Sequence, residues 1–156
     1  MRKLILTVAA TMAVASTAKA QWSYEKIDNG LDEPYRIAYC VGNSNKGILK
    51  LESEDSAIAL YVVGSYFCDE SLTIDLGLMV NGVSKKYSFL AFKSSNSKVL
   101  FFMDNILDAE HAEFLKDFKA CSSLLLRVNE SHCTSEYYKF NMSGSTAAIT
   151  FMSKFK

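Results

Sequence analysis

Apolar residues occupy every second position of the segment LTIDLGLMV, residues 72–80. Side chains on a strand point alternately to opposite faces, so this period predicts a strand with one buried face. The segment ends at Asn81-Gly82, a dipeptide that favours the positive φ values of a two-residue hairpin turn. The next run, SKKYSFLAF at 84–92, is therefore predicted to return antiparallel to the first.

Similar short runs, rich in β-branched and aromatic residues, recur along the chain and predict further strands. They lie at 22–27, 35–41, 47–54, 57–63, 98–103, 124–129 and 137–142. Most of these runs are joined by short, turn-rich connections. A chain of this kind favours a largely antiparallel sheet over alternating strands and helices.

A helical period occupies residues 108–120. The side chains that recur on one helical face there are Leu107, His111, Phe114, Leu115 and Phe118. Their spacing predicts one amphipathic helix, with Asp108 as its expected N-cap. We therefore expect a mainly β domain, an antiparallel β-sandwich or a partly open barrel, with this helix at about 108–120 and a short C-terminal helix.

The first twenty residues have the order of a signal peptide. MRK is followed by an apolar run from residue 4 to about 15 and then by AKA at 18–20, which matches a charged region, an apolar region and a small-residue cleavage site. The apolar run is shorter than the roughly 20 residues that a membrane-spanning helix needs. We expect cleavage before Gln21, a single domain at 21–156, a periplasmic or secreted location, and no stable membrane insertion after cleavage.

The charge distribution argues against nucleic acid as a partner. The chain has 17 basic and 17 acidic residues, and loss of Arg2, Lys3 and Lys19 with the leader leaves 14 basic against 17 acidic. Nucleic-acid-binding domains typically concentrate Lys and Arg on one face, whereas both signs alternate along this chain. We expect another envelope or host protein as the partner.

Four cysteines, at 40, 68, 121 and 133, favour disulfides in an exported chain. Neither they nor the two histidines have the close ligand spacing of a structural zinc site, so we expect no metal and no cofactor. A strand at 124–129 holds Cys121 and Cys133 about 20 Å or more apart, too far for a disulfide. Cys40 and Cys68 each follow a predicted strand at one sheet edge and are predicted to pair, which leaves open whether the other two are paired.

The segment Ser143-Gly144-Ser145-Thr146 poses the question of a catalytic or anion-binding turn. A nucleophile elbow requires G-x-S-x-G and a phosphate loop requires G-x-x-x-x-G-K-[ST], and the segment matches neither pattern. We predict a structural turn at Gly144, with Ser143 or Ser145 as the cap of a short helix. We predict no catalytic residues elsewhere in the chain.

Amphipathic aromatic residues are frequent, and such residues suit both sheets and recognition surfaces. Most of them are expected to pack within the sheet. Trp22 and Tyr24 lie in the first predicted strand of the mature chain, and we predict that this strand contributes an exposed binding patch.

The order of these features resembles a known group. Trp22 near the mature start, Tyr39-Cys40 after the next strand, FLKDFKACSSLLLRV and YKFNMSGSTAAI are similar to segments of small exported proteobacterial proteins related to the invasion-associated locus B family. Similar endings occur in periplasmic proteins that include type VI secretion accessory proteins. The resemblance implies a periplasmic or secreted β-sandwich without established catalytic residues, linked to host-cell interaction.

Three functions follow as hypotheses. The leading one is a non-enzymatic exported protein that binds another protein, with a role in host interaction or as a secretion-system accessory. The second is an inhibitor or immunity protein against a cell-wall hydrolase, whose blocking loop would be NSNKG at 43–47. The third is a small cell-wall hydrolase with Asp69 and Glu70 as its acid pair.

The leader interpretation predicts the mass of the exported protein. Intact mass spectrometry of protein recovered from the envelope or the medium should give a chain that starts at Gln21, because signal peptidase cleaves after an A-x-A site, here residues 18–20. A mass that includes earlier residues would contradict the predicted export.

Overall fold

The computed structural model describes residues 22–28, 30, 34–54 and 56–154, so the predicted signal peptide lies outside the described residues. The strands are β1 (Trp22–Ile27), β2 (Tyr35–Val41), β3 (Ile48–Glu54), β4 (Ala57–Val63), β5 (Ser71–Val80), β6 (Val83–Lys93), β7 (Val99–Met103), β8 (Ser123–Asn129) and β9 (Glu136–Asn141). The helices are α1 (Ala112–Ala120) and α2 (Ser145–Met152).

The nine strands form one antiparallel sheet in the order β1-β2-β3-β4-β7-β6-β5-β8-β9. The prediction of a mainly β, antiparallel fold is therefore confirmed. The sheet is not closed, because β1 and β9 each have a partner on one side only. The predicted hairpin joins β5 and β6: Val80 pairs with Val83 across Asn81 and Gly82, whose φ values are 49° and 78°.

Both helices cover the inner face of the sheet. Phe114 and Phe118 of α1 are buried in the same apolar cluster as the inward residues of the strands, and the Phe114 ring lies 5.1 Å from the rings of both Tyr87 and Phe89 on β6. The Tyr87 hydroxyl donates a hydrogen bond of 2.7 Å to the buried Asp117 carboxylate. This bond compensates the cost of burying a polar group under the helix.

Tyr138 joins the last strand of the sheet, β9, to the ends of two distant strands, β3 and β4. Its buried ring lies against Gly47 at the start of β3 and its hydroxyl against Gly64 after β4, so a Cβ at either glycine would overlap it. The hydroxyl also donates to Glu136 on the same strand. Lys46 places its Nζ 5.6 Å from the centre of the ring. The outermost strand β9 is thereby fixed across the ends of β3 and β4.

The sheet separates between β6 and β7. Only two residue pairs join these strands, Phe92 with Phe101 and Lys93 with Leu100. On its other side β6 pairs with β5 from Val83 to Phe92. Most of β6 therefore has a ladder partner on one side only among the described residues.

Two glycines allow a matched test of the Tyr138 contact. Gly47 and Gly82 have similar φ values, 75° and 78°, but only a Cβ at Gly47 would meet Tyr138, since Gly82 has open space around it. Gly82→Ala should lower the free energy of unfolding by about 1–2 kcal/mol through left-handed strain alone. Gly47→Ala should cost about 1–3 kcal/mol more, because it also overpacks the ring.

The measurement is urea denaturation of both variants followed by circular dichroism. Equal losses of stability in the two variants would show that Tyr138 moves aside freely and does not fix β9 against β3 and β4.

Candidate functional site

The structure pairs the cysteines differently from the prediction. Cys68 and Cys133 form a disulfide with a Cα–Cα distance of 6.2 Å, whereas Cys40 and Cys121 are free and buried. The predicted pair of Cys40 and Cys68 is therefore wrong. The exclusion of a Cys121–Cys133 pair agrees with the structure.

The neighbouring strands explain this pairing. Thr73 near the start of β5 pairs with Asn129 at the end of β8, so the chain before β5 and the chain after β8 meet at one corner of the sheet. Cys68 and Cys133 lie in those two segments. Cys40 instead points inward opposite Trp22 and Leu49, and it cannot reach that corner.

The environment of the two free thiols makes them poorly reactive. Burial raises the pKa of Cys40 to about 11 and that of Cys121 to about 12. Each thiol lies within hydrogen-bond range of a carbonyl, that of Asn141 for Cys40 and that of Phe118 for Cys121. Because the thiolate is the reactive form, these cysteines are suited to packing and not to nucleophilic chemistry.

A polar cluster surrounds the disulfide. The Asp69 carboxylate is only 9% exposed and accepts hydrogen bonds from the Ser131 backbone N–H at 2.6 Å and the Ser131 hydroxyl at 2.9 Å. Its other oxygen lies 2.5 Å from His132 Nδ1. These donors, the Ser131 backbone first and His132 next, lower the pKa of Asp69 to about 2.

Asp69, Ser131 and His132 are the residue types of a hydrolytic triad, but their geometry is different. In a triad the carboxylate holds one imidazole nitrogen and the serine meets the other. Here Ser131 Oγ lies 3.1 Å from Nδ1, the nitrogen that Asp69 already contacts. The hydroxyl also donates to Asp69, so no base is placed to activate it. The cluster therefore links the two segments beside the disulfide, while the His132 side chain is 82% exposed.

The acid pair of the hydrolase hypothesis is divided between different partners. Asp69 binds Ser131 and His132, whereas Glu70 forms an ion pair of 3.0 Å with Lys93. A general acid needs a raised carboxyl pKa to hold its proton near neutral pH, and the pKa of Asp69 is lowered. The geometry gives the pair no support as an acid and base.

A metal is not favoured at the same corner. The one group of potential ligands that we find within the described ranges is Cys68, Glu130 and Cys133, with ligand atoms within 4.8 Å of one another. Zinc binds cysteine as thiolate, and the disulfide removes both thiolates. Glu130 meanwhile accepts a hydrogen bond of 2.5 Å from the Cys68 backbone N–H.

The segment 143–145 forms the predicted turn, but its serines do not cap α2. Gly144 has φ 96° and precedes the helix, which has no side-chain cap hydrogen bond. Ser145 Oγ donates instead to the carbonyl oxygen of Lys119 at 3.2 Å, and Thr146 Oγ1 donates to the same oxygen at 2.9 Å. The prediction that Ser143 or Ser145 caps α2 is therefore wrong. The two hydroxyls instead satisfy the Lys119 carbonyl in the last turn of α1, a carbonyl that has no partner within its own helix. Ser143 contributes only its backbone N–H, to Asn141 Oδ1 at 3.1 Å.

The predicted patch on β1 is also changed. Trp22 is only 6% exposed and its Cδ1 lies 3.3 Å from the position a Cβ at Gly144 would take, so a partner cannot reach its ring. Tyr24 is 42% exposed, and its ring centre lies 5.0 Å from that of Phe151 in α2. The predicted binding patch of Trp22 and Tyr24 is therefore wrong for Trp22, which is buried. Contact of a partner with Tyr24 stays a prediction.

A different aromatic surface lies on the outer face of the sheet. Cα partners across β6, β7, β4, β3 and β2 place one straight row of side chains there, namely Phe92, Phe101, Tyr61, Lys50 and Tyr39. We call the four aromatic members the aromatic row. Phe92 is 48% exposed, and the rings of Tyr61 and Phe101 have centres 5.4 Å apart.

Apolar residues extend this surface on both sides of the row. Leu90, two positions before Phe92 on β6, is 58% exposed. A second row crosses β7, β4, β3 and β2 beside the first and consists of Val99, Val63, Ile48 and Val41. Helices α1 and α2 pack on the inner face, so neither helix of the described residues covers this surface. Contiguous exposed apolar surface of this kind marks interaction sites.

Charged residues lie both within the line of the aromatic row and beyond its end at β6. Lys50 places its Nζ 4.8 Å from the centre of the Tyr61 ring and forms an ion pair with Glu52. Beyond β6, Asp75 on β5 accepts hydrogen bonds from Ser88 and Asn129. It also forms an ion pair with Arg127. These partners lower the pKa of Asp75 to about 2. A charged cluster around Asp75 thus lies on the outer face beyond β6.

Fold and surface together define a disulfide-linked antiparallel β protein with an uncovered aromatic row. Within the described part of the chain, no helix has the length and apolarity to cross a membrane. Comparisons with protein-family models, with curated proteins and with solved structures found no match.

The Asp69 cluster predicts a pH dependence of stability. Because the folded protein lowers the pKa of Asp69 to about 2, its stabilisation is complete above the ordinary carboxyl pKa of about 4 and is lost as the pH falls toward 2. Asp69→Asn should therefore flatten the decline in the free energy of unfolding between pH 4 and pH 2. His132→Ala, which removes one donor, should give an intermediate slope.

The slopes are measured by urea denaturation at a series of pH values. The variant should retain some decline, because the pKa of Asp75 is lowered to the same value. A wild-type slope in Asp69→Asn would contradict the role assigned to the cluster.

Proposed function

We propose that this chain is an exported, non-enzymatic protein that binds another protein of the bacterial envelope or of a host through the aromatic row. The partly exposed row on the outer face is the observation that carries the proposal. Aromatic side chains are enriched in the centres of protein interfaces because they bury a large area at low entropic cost. The row lies on paired strands, which hold its geometry before binding.

Export is supported by the leader-like sequence and by the disulfide between Cys68 and Cys133, since disulfides persist in oxidising compartments. In this proposal the sheet is folded over as a β-sandwich, supported by the contact of Tyr138 on β9 with Gly47 and Gly64 at the ends of β3 and β4. The sandwich serves as a rigid platform, and the aromatic row is its contact surface.

The polar corner supports binding over catalysis. Asp69, Ser131 and His132 satisfy one another at a disulfide, and neither Asp69 nor Glu70 is in the environment of a general acid. The loop of the inhibitor hypothesis is a tight turn: the Gly42 backbone N–H donates to the Gly47 carbonyl at 2.9 Å. This loop is held close to β9 by Lys46 above Tyr138, and its shape does not favour a protruding plug.

Site-specific photo-crosslinking tests the proposal. A photoreactive phenylalanine analogue is introduced at Phe92 or Tyr39, at opposite ends of the aromatic row, and at Tyr137 as a matched control. Tyr137 is exposed on the outer face but lies on β9, four strands from Phe101. We expect a discrete crosslinked partner in intact cells from the two row positions and none from Tyr137.

A second substitution distinguishes specific docking from nonspecific adsorption to the surface. Phe101→Ser in the middle of the row should reduce the crosslink from Phe92 at least about tenfold, because truncation of a hot-spot residue near the centre of an interface costs about 2 kcal/mol or more. Circular dichroism checks that this variant is folded. A crosslink of equal strength from Tyr137, or one that persists in Phe101→Ser, would refute binding through the row.

A further inference from the structure

We propose that the partner binds as an added β-strand along the open edge of β6, as an extended segment with an apolar residue opposite Leu90 and an acidic residue opposite Lys86. This inference rests on the proposed function, because it specifies how the partner of the aromatic row is held. It is carried by the separation of β6 from β7 and by the side chains along the exposed edge.

The direction of the backbone groups on β6 follows from the hairpin. Val80 and Val83 flank a two-residue turn and form a hydrogen-bonded pair, after which bonded and non-bonded pairs alternate. The N–H and C=O groups that point away from β5 are therefore those of Ser84, Lys86, Ser88 and Leu90. Lys93 agrees with this alternation, since its N–H donates toward the β5 side, to the Glu70 carbonyl at 2.9 Å.

These four residues have no backbone partner on the open side within the described ranges. The β7 ladder includes only Phe92 and Lys93 of β6, and no turn or loop hydrogen bond reaches 84–90. Proteins usually cover, shorten or twist such an edge, because unpaired N–H and C=O groups attract another strand. An edge of this kind binds extended peptides through the main chain, and its side chains supply the specificity.

Side chains on this edge select the chemistry of the added strand. Ser84, Lys86, Ser88 and Leu90 share the outer face with Phe92. Lys86 forms no ion pair with a described residue, and Leu90 is 58% exposed. In an antiparallel partner, the residue opposite Leu90 comes four positions before the residue opposite Lys86. An apolar residue followed four positions later by Asp or Glu therefore matches the edge.

The inner side of the edge adds a size limit. Phe114 of α1 packs against Tyr87 and Phe89, and His111 has its ring centre 6.1 Å from that of Phe89. Residues of the added strand that point inward, opposite Tyr87 and Phe89, must therefore be small. The outward apolar residue opposite Leu90 lies beside Phe92, so the added strand continues the aromatic row.

A synthetic peptide tests the inference. The probe is a fluorescent peptide Leu-Ala-Thr-Ala-Glu-Ala-Thr, in which Leu faces Leu90, the first Thr faces Ser88 and Glu faces Lys86. Wild-type protein should bind it in an anisotropy titration up to millimolar peptide. A peptide methylated at the backbone nitrogen of the Thr opposite Ser88 should bind about tenfold more weakly, since it loses a main-chain hydrogen bond.

Paired variants at one position isolate the main-chain contact. Ser88→Pro and Ser88→Ala both lose the hydroxyl bond to Asp75, but only proline removes the N–H on the open side. Ser88→Pro should bind the probe about tenfold more weakly than Ser88→Ala, because the two variants differ in the main-chain N–H on the open side. Lys86→Glu should prefer a probe with Lys in place of Glu.

The outcomes distinguish this inference from the proposed function. Equal binding of both peptides, equal binding by the Pro and Ala variants, or no binding by wild type would overturn strand addition. Crosslinks from the aromatic row that persist in Ser88→Pro would also overturn it while leaving the proposed function intact. A dimer that forms with rising concentration and is abolished only in Ser88→Pro would assign the edge to a second copy and overturn the chosen partner. If Ser88→Pro does not fold, the methylated peptide alone decides.

Discussion

The contact of Tyr138 with Gly47 and Gly64 is the constraint on which the arrangement of the sheet depends. A nine-stranded sheet left open would expose its apolar inner face, and twisted sheets of this size curl or fold over. Tyr138 brings the last strand, β9, against the ends of β3 and β4, and both glycines lack the Cβ that would keep the ring out. The inward residues of the whole sheet then share one buried cluster.

The short ladder between β6 and β7 accounts for the features that we assign to binding. Only two residue pairs join these strands. Most of the backbone edge of β6 is therefore left without a partner among the described residues, beside an outer face that carries the aromatic row. Helices α1 and α2 are needed inside, where Phe114 and Phe118 complete the core, so neither is free to cover the outer face.

Local signals in the sequence predict the strands and the main helix, whereas distant pairing decides the site. The alternation at 72–80 and Asn81-Gly82 specify the β5–β6 hairpin because both act within a few residues. The disulfide depends on β5 lying next to β8, a neighbour relation that no local period encodes. In the segment 35–41 both faces are apolar or aromatic except at Arg36, which shares a face with Cys40, so the period alone does not show that Cys40 points inward. The aromatic row likewise requires the order of five strands, and its members are far apart in the sequence.

An aromatic surface and an open edge on one protein also require protection from self-association. Lysine is common on exposed strand edges because pairing of two identical edges would bring like charges together. Lys85 and Lys86 lie on β6 directly after the hairpin turn, and Lys50 lies within the row, where its charge is shared between the Tyr61 ring and Glu52. These positive charges oppose pairing with an identical edge and favour a strand that carries an acid. Lys86 therefore both protects the edge from self-association and selects the acidic residue of its partner.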